Sequence, residues 1–150
     1  MQTPSYAGRY WLWRVESYGG FLSVWAVTHD QRFKAAMVGA GPIDWSSSDG
    51  GEIPFFLILY LGYDPMTWFK MSPLKYIKNA KTPILIQQGM ADKQVSLCQS
   101  LELKYALKSL KVPYKAIFYP KQTHSIDSPK QAYAAMNDQV DWVKKYIEPY

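Results

Sequence analysis

The chain has 150 residues, 48% of them hydrophobic and 19% charged, a balance that belongs to one folded domain and excludes a disordered tail, a coiled coil or a collagen-like repeat. A chain of this size hides roughly 70% of the surface its unfolded form exposes, so it needs no cross-link to hold a core. One cysteine, Cys98, and two histidines, His29 and His124, exclude an internal disulfide and a cysteine-rich zinc site; the expectation is a protein without metal or cofactor, in a reducing, cytoplasmic compartment.

The net charge is +5, from 17 Lys and Arg against 12 Asp and Glu. The basic residues are scattered, with no block longer than Lys144-Lys145, so they read as a solvated surface and no nucleic-acid partner is expected. Met1-Gln-Thr-Pro-Ser-Tyr-Ala-Gly-Arg9 lacks the basic start and apolar run of a secretory signal. The longest apolar stretch, Phe55-Phe-Leu-Ile-Leu-Tyr-Leu61, is far short of the ~20 residues a bilayer span needs, so no membrane partner is expected either.

Tyr10-Trp-Leu-Trp-Arg-Val15 is short, aromatic and β-branched and reads as a strand; a Ser-Tyr-Gly-Gly turn follows, and Phe21 to Thr28 runs apolar at helical spacing. Ala35 to Ala40, closed by Gly41-Pro42, is a second strand, and Thr82 to Gln87 and Tyr114 to Tyr119 are a third and a fourth. Leu97, Leu101, Ala106, Leu107 and Leu110 fall near one helix face between the last two strands. Ala132, Met136, Val140, Val143 and Ile147 repeat at helical spacing after the fourth. Alternating strands and helices with continuously apolar strands predict an α/β fold, a parallel sheet covered on both faces. The segment from Asp44 to Ile77 breaks the rhythm with Ser46-Ser-Ser48, Gly50-Gly51 and Ser72-Pro73 and is placed as an excursion of this single domain over the strand ends.

Ser17 lies in the turn Val15-Glu-Ser-Tyr-Gly-Gly20 between first strand and first helix. A nucleophile elbow needs that placement, because the sharp turn lifts the hydroxyl off the sheet while the following N–H groups face a developing oxyanion. Serine is inert at its free pKa and needs a base with an acid behind it, which doubly wound hydrolases supply in the order Ser, Asp, His. Asp92, just past the third strand, and His124, just past the fourth, keep that order, and loops at strand carboxyl ends gather on one edge of a parallel sheet. His29 reads as a surface histidine at a helix end and Cys98 as a core thiol.

From about Arg9 onward the chain resembles the C-terminal part of the catalytic domain of the prolyl oligopeptidase family of α/β-hydrolases. The resemblance rests on Ser17-Tyr-Gly-Gly20, Arg32-Phe-Lys-Ala-Ala36 leading to Gly39-Ala-Gly-Pro-Ile-Asp-Trp45, Ser72-Pro-Leu-Lys-Tyr-Ile77, Thr82-Pro-Ile-Leu-Ile86 with Gly89 and Asp92, and Tyr119-Pro120 with His124. It implies a truncated α/β-hydrolase fold with a mostly parallel sheet of about four strands. It implies a serine hydrolase in which Ser17 attacks an acyl carbonyl, His124 moves the proton, Asp92 holds the imidazole and the Tyr18 amide is one oxyanion donor. Val15 stands where the family's elbow keeps glycine, and the few residues before Arg9 leave no room for the loop with the second donor. A missing donor is worth about 2.7–4 kcal/mol, which favours short acyl or aromatic esters over amides, with aminopeptidase or dipeptidyl-peptidase-like cleavage of short peptides and a non-catalytic binding module as alternatives. Trp45, Phe55, Phe56, Tyr60 and Trp68 are the candidate pocket residues. An open aromatic edge near Trp11 and Trp13 predicts a homodimer that covers it.

Overall fold

Four parallel strands lie side by side in chain order: β1 (Tyr10–Trp11), β2 (Phe33–Gly39), β3 (Ile84–Gly89) and β4 (Tyr114–Tyr119). They come from a computed structural model that describes residues 10–11, 16–47 and 58–146; the rest of the expected first strand, 12–15, lies outside these. Ala36 pairs with Ile84 and Gly39 with Gln87, while Ile84 pairs with Tyr114 and Gly89 with Tyr119. Tyr10 pairs with Phe33 and Trp11 with Ala35, and a single bridge joins Glu16 to Gly39. The third strand starts two residues later than its apolar run, because Pro83 accepts a ladder bond from Ala36 N–H at 2.9 Å but has no N–H to donate.

Every residue of β3 is buried, as are four in a row on β2, the signature of a sheet covered on both faces. On one face Ala36, Val38, Ile84 and Ile86 meet Val24 and Val27 of helix α1 (Tyr18–His29) and Leu103 and Leu107 of helix α3 (Leu97–Ser109). On the other, Ala35, Met37 and Leu85 meet Trp142, with Val143 and Tyr146, of helix α4 (Pro129–Tyr146). Alternate residues of one strand therefore feed two cores, which locks the register: a slip by one residue would exchange the faces.

Between β2 and β3 the chain runs through a 3-10 turn (Trp45–Ser47), a helical turn at 58–61, helix α2 (Pro65–Met71) and a second 3-10 segment (Pro73–Asn79). Asp64 starts α2 by accepting from the N–H groups of Met66 and Thr67, with Pro65 in the first turn where its missing donor costs nothing. Two buried side chains tie down the exit from β2. Gln99 Oε1 accepts from the N–H groups of Ile43 (2.7 Å) and Asp44 (2.8 Å), and its Nε2 donates to Asp44 O and Ser47 Oγ. Ser72 Oγ accepts from Trp45 N–H at 2.9 Å and donates to Trp68 O at 2.8 Å.

Candidate active site

Ser17 has φ 60° and ψ −123°, a conformation that a residue with a Cβ adopts at a cost of order 1–3 kcal/mol. Its neighbours hold it there. Ser17 N–H donates to Gly39 O at 2.9 Å, at the carboxyl end of β2, and Ser17 O accepts from Phe21 N–H at 3.2 Å inside α1. Gly20 lets the helix start so close to the sheet, since a Cβ there would lie 2.7 Å from Gly41 Cα and 2.9 Å from Gly39 O. A serine before a helix ordinarily caps it with its hydroxyl; Ser17, with its positive φ, makes no such bond. α1 thus begins at Tyr18, three residues before the apolar run that announces it.

Asp92 lies in the loop after β3 with a side chain of 0% exposure. Its Oδ1 accepts from the backbone N–H groups of Gln94 (2.9 Å) and Val95 (3.0 Å), and its Oδ2 accepts from His124 Nδ1 at 2.8 Å and Gln88 Nε2 at 3.3 Å. Burial pushes this carboxyl up, but the bonds from His124, Val95 and Gln94 together with the His124 charge outweigh it and hold the group below its ordinary value.

His124 comes from the loop after β4. Three inter-strand steps of ~4.8 Å separate β4 from β1, so the loop has to fold back across β3 to approach the Ser17 turn. Gly89, the last residue of β3, permits that: a Cβ there would lie 2.1 Å from Thr123 O and 2.4 Å from Gln122 O. Ala91 N–H donates to Gln122 O at 2.8 Å, stitching the two loops together. His124 is left 16% exposed in a cleft it shares with Glu16, the residue before Ser17. The Asp92 hydrogen bond raises the imidazole pKa, burial opposes it, and the charges of Asp92 and Glu16 add to the rise. A carboxylate only accepts, so Nδ1 carries the proton toward Asp92 and Nε2 is the nitrogen left for proton transfer.

Ser17, Asp92 and His124 thus lie past the carboxyl ends of β1, β3 and β4, and Asp92 and His124 are bonded to each other. Among the described residues no hydrogen bond joins the Ser17 hydroxyl to His124, a bond that apo sites often form only with substrate. Tyr18, the first residue of α1, stacks its ring on Phe21 at 5.0 Å, and its N–H is one of the donors a helix start leaves without an internal acceptor.

Trp45 is 8% exposed and packs on Phe21 with ring centroids 5.3 Å apart, in a small buried cluster. Trp68 joins the same cluster, half-buried, its indole N–H donating to Gly62 O at 2.9 Å. Tyr60 is 77% exposed, while Phe55, Phe56 and Trp13 and the side chain of Trp11 lie outside the described residues. Cys98, expected in the core, is exposed near the start of α3. His29 is a surface residue, bonded through Nδ1 to Trp25 O at 2.8 Å and stacked on the Trp25 ring. Among the described residues no group of three His, Cys, Asp or Glu is placed to hold a metal ion. Sequence reasoning passed over Gln88 and gave Gly89 no role of its own; a pair of glutamines in an otherwise apolar buried strand was the available signal for the former.

The description of the prolyl oligopeptidase family matches residues 16–149. The chain belongs to the prolyl oligopeptidase family. It is 28% identical over 144 residues to the human acylamino-acid-releasing enzyme, covering 87% of this chain and 20% of that protein. It is 30% identical over 140 residues to an uncharacterized peptidase, YuxL, of Bacillus subtilis, covering 87% of this chain and 21% of that protein. Among solved structures, the Pyrococcus horikoshii acylaminoacyl peptidase superposes with a TM-score of 0.84 at 29% identity, over 90% of this chain and 23% of the other. The chain thus spans about a fifth of the length of the curated relatives it matches. The described residues have the parallel-sheet α/β fold of these hydrolase peptidases. No helix among the described residues is long and apolar enough to cross a membrane.

Proposed function

We propose that the chain carries the nucleophile, base and orienting acid of a serine peptidase of the acylaminoacyl type, releasing an acylated amino acid from a short peptide through an acyl-enzyme. The observation that supports this reading most is the 2.8 Å bond between Asp92 and His124 at the sheet edge that also holds Ser17 in its strained turn. Ser17 Oγ attacks the carbonyl carbon of the acylated residue, at the peptide bond that follows it, while His124 Nε2 takes the hydroxyl proton, and Asp92 holds and stabilises the imidazolium. The carbonyl oxygen gains the negative charge and accepts from the Tyr18 N–H. Collapse breaks the C–N bond, the nitrogen keeps the electron pair and takes the proton from Nε2, and water repeats the sequence on the acyl-enzyme.

The named relatives are peptidases, so amide cleavage takes precedence over the ester preference expected from the sequence. Esters share the chemistry and serve as the second substrate in the test. An N-acetyl-aminoacyl anilide and the matching ester are offered to the wild type and to Ser17→Ala. Turnover of both by the wild type and of neither by the variant is expected; turnover of the ester alone would restore the esterase reading, and turnover of neither would favour a non-catalytic module. We further propose that two copies associate along the outer side of β1, the outermost strand on its side among the described residues. A monomer mass by light scattering at high protein concentration would contradict that association.

A further inference from the structure

We propose that Gln88 is a positioning residue of this site, its side-chain amide fixing the Asp92 carboxylate against His124. The inference rests on the reading of Asp92 and His124 as orienting acid and base. Gln88 is the next-to-last residue of β3 and 1% exposed. Its Nε2 donates to Val95 O at 2.6 Å and to Asp92 Oδ2 at 3.3 Å, while its Oε1, equally buried, has no partner. Both neighbours of Nε2 only accept, so the amide has one possible orientation; turned over, it would set Oε1 against two oxygens. An apolar side chain of the same length would fill this space without an unpartnered oxygen, so what the glutamine adds is the donor.

The donor closes a ring. Val95 N–H holds Asp92 Oδ1 at 3.0 Å and Val95 O takes Gln88 Nε2, so the 92–95 turn is fastened to the strand from which it departs. Oδ2 receives Gln88 and His124 together, which sets the plane of the carboxylate and divides its charge between two donors. Without Gln88 the carboxylate turns more freely and leaves more of its charge to the imidazole, which then binds its proton more tightly. The charged groups that face His124 are Asp92, from the loop after β3, and Glu16, from before α1; the cleft's other walls are neutral, among them Met37, Gln87, Ile126 and Gln139.

The test is Gln88→Met in the full chain, a side chain of similar length with no donor. Its kcat falls about tenfold while KM stays within about twofold, as expected when a reacting geometry loosens without loss of substrate contacts. The midpoint of the His124 titration, followed by NMR of the imidazole, moves to higher pH, and the acid limb of kcat/KM moves with it. A folded variant with unchanged kcat and an unchanged His124 midpoint would overturn the proposal. A measurement on the wild type does not depend on the variant folding: the Gln88 side-chain amide protons must follow the His124 titration, and amide shifts indifferent to pH would overturn it equally. A wild type that turns over no substrate but whose His124 midpoint moves in Gln88→Met would sink the peptidase reading and uphold this one.

Discussion

Gly89 and Thr123 meet backbone to backbone, so close that a Cβ on the glycine would stand 2.1 Å from the Thr123 carbonyl oxygen. The contact carries the β4 loop across the end of β3 and delivers His124 to Asp92. Gly89→Ala forces one of two rigid backbone segments to move, and the expected cost is about 1–3 kcal/mol of stability. Activity is expected to fall further than stability does, because the displaced loop is the one that bears the proposed base, His124. Urea unfolding beside turnover at a temperature where the variant is fully folded separates the two effects.

The pH behaviour follows from the direction of two shifts. As the proposed base His124 takes a proton only when neutral, and its raised pKa places the expected acid limb of kcat/KM above the ordinary histidine value of 6.5. For stability, the raised histidine contributes fully below 6.5 and loses that contribution as pH climbs through its folded-state value. Asp92, held down, contributes above 3.8 and loses the contribution as pH falls through its lower folded-state value. The stability gap between wild type and Asp92→Asn is therefore wider at about pH 5 than at about pH 9, by urea unfolding at both.

Asp92→Asn also tests orientation. The amide keeps the shape of the carboxylate but offers a donor where His124 Nδ1 requires an acceptor, so the ring changes tautomer or turns. Turnover falls by roughly four orders of magnitude, the size found when the orienting acid of a serine protease triad is replaced. Steady-state kinetics against the wild type measure it, and a loss under tenfold would remove Asp92 from its role.

Gln99 offers a contrast, because it serves the fold at a distance from the chemistry. Gln99→Leu strands the N–H groups of Ile43 and Asp44, which now point at its buried Oε1. The expected cost is about 2–4 kcal/mol, read from the shift of the unfolding midpoint.

The order of strands and helices was legible in the sequence because short continuous apolar runs such as Ile84-Leu-Ile86, bounded by turn residues, mark strands covered on both faces. The choice of Ser17, Asp92 and His124 as candidates has a related basis: each lies in a segment past a strand, and parallel strands bring such loops to one edge. Gln88 was not legible, since a glutamine in a strand carries no sign of which acceptors it faces until the loop after the strand is folded back on it. The packing of Trp45 was likewise not legible. An aromatic residue in an irregular segment reads as a binding surface, whereas Ser72 and Gln99 pull that segment down until the ring packs on Phe21.

The central claim is that Ser17 is an activated nucleophile, and covalent labelling tests it most directly. Intact mass after treatment with a fluorophosphonate is expected to show one adduct on the wild type and none on Ser17→Ala, with labelling that slows as His124 is protonated. A well-folded wild type that takes up no label, or an adduct that persists in Ser17→Ala, would contradict the account.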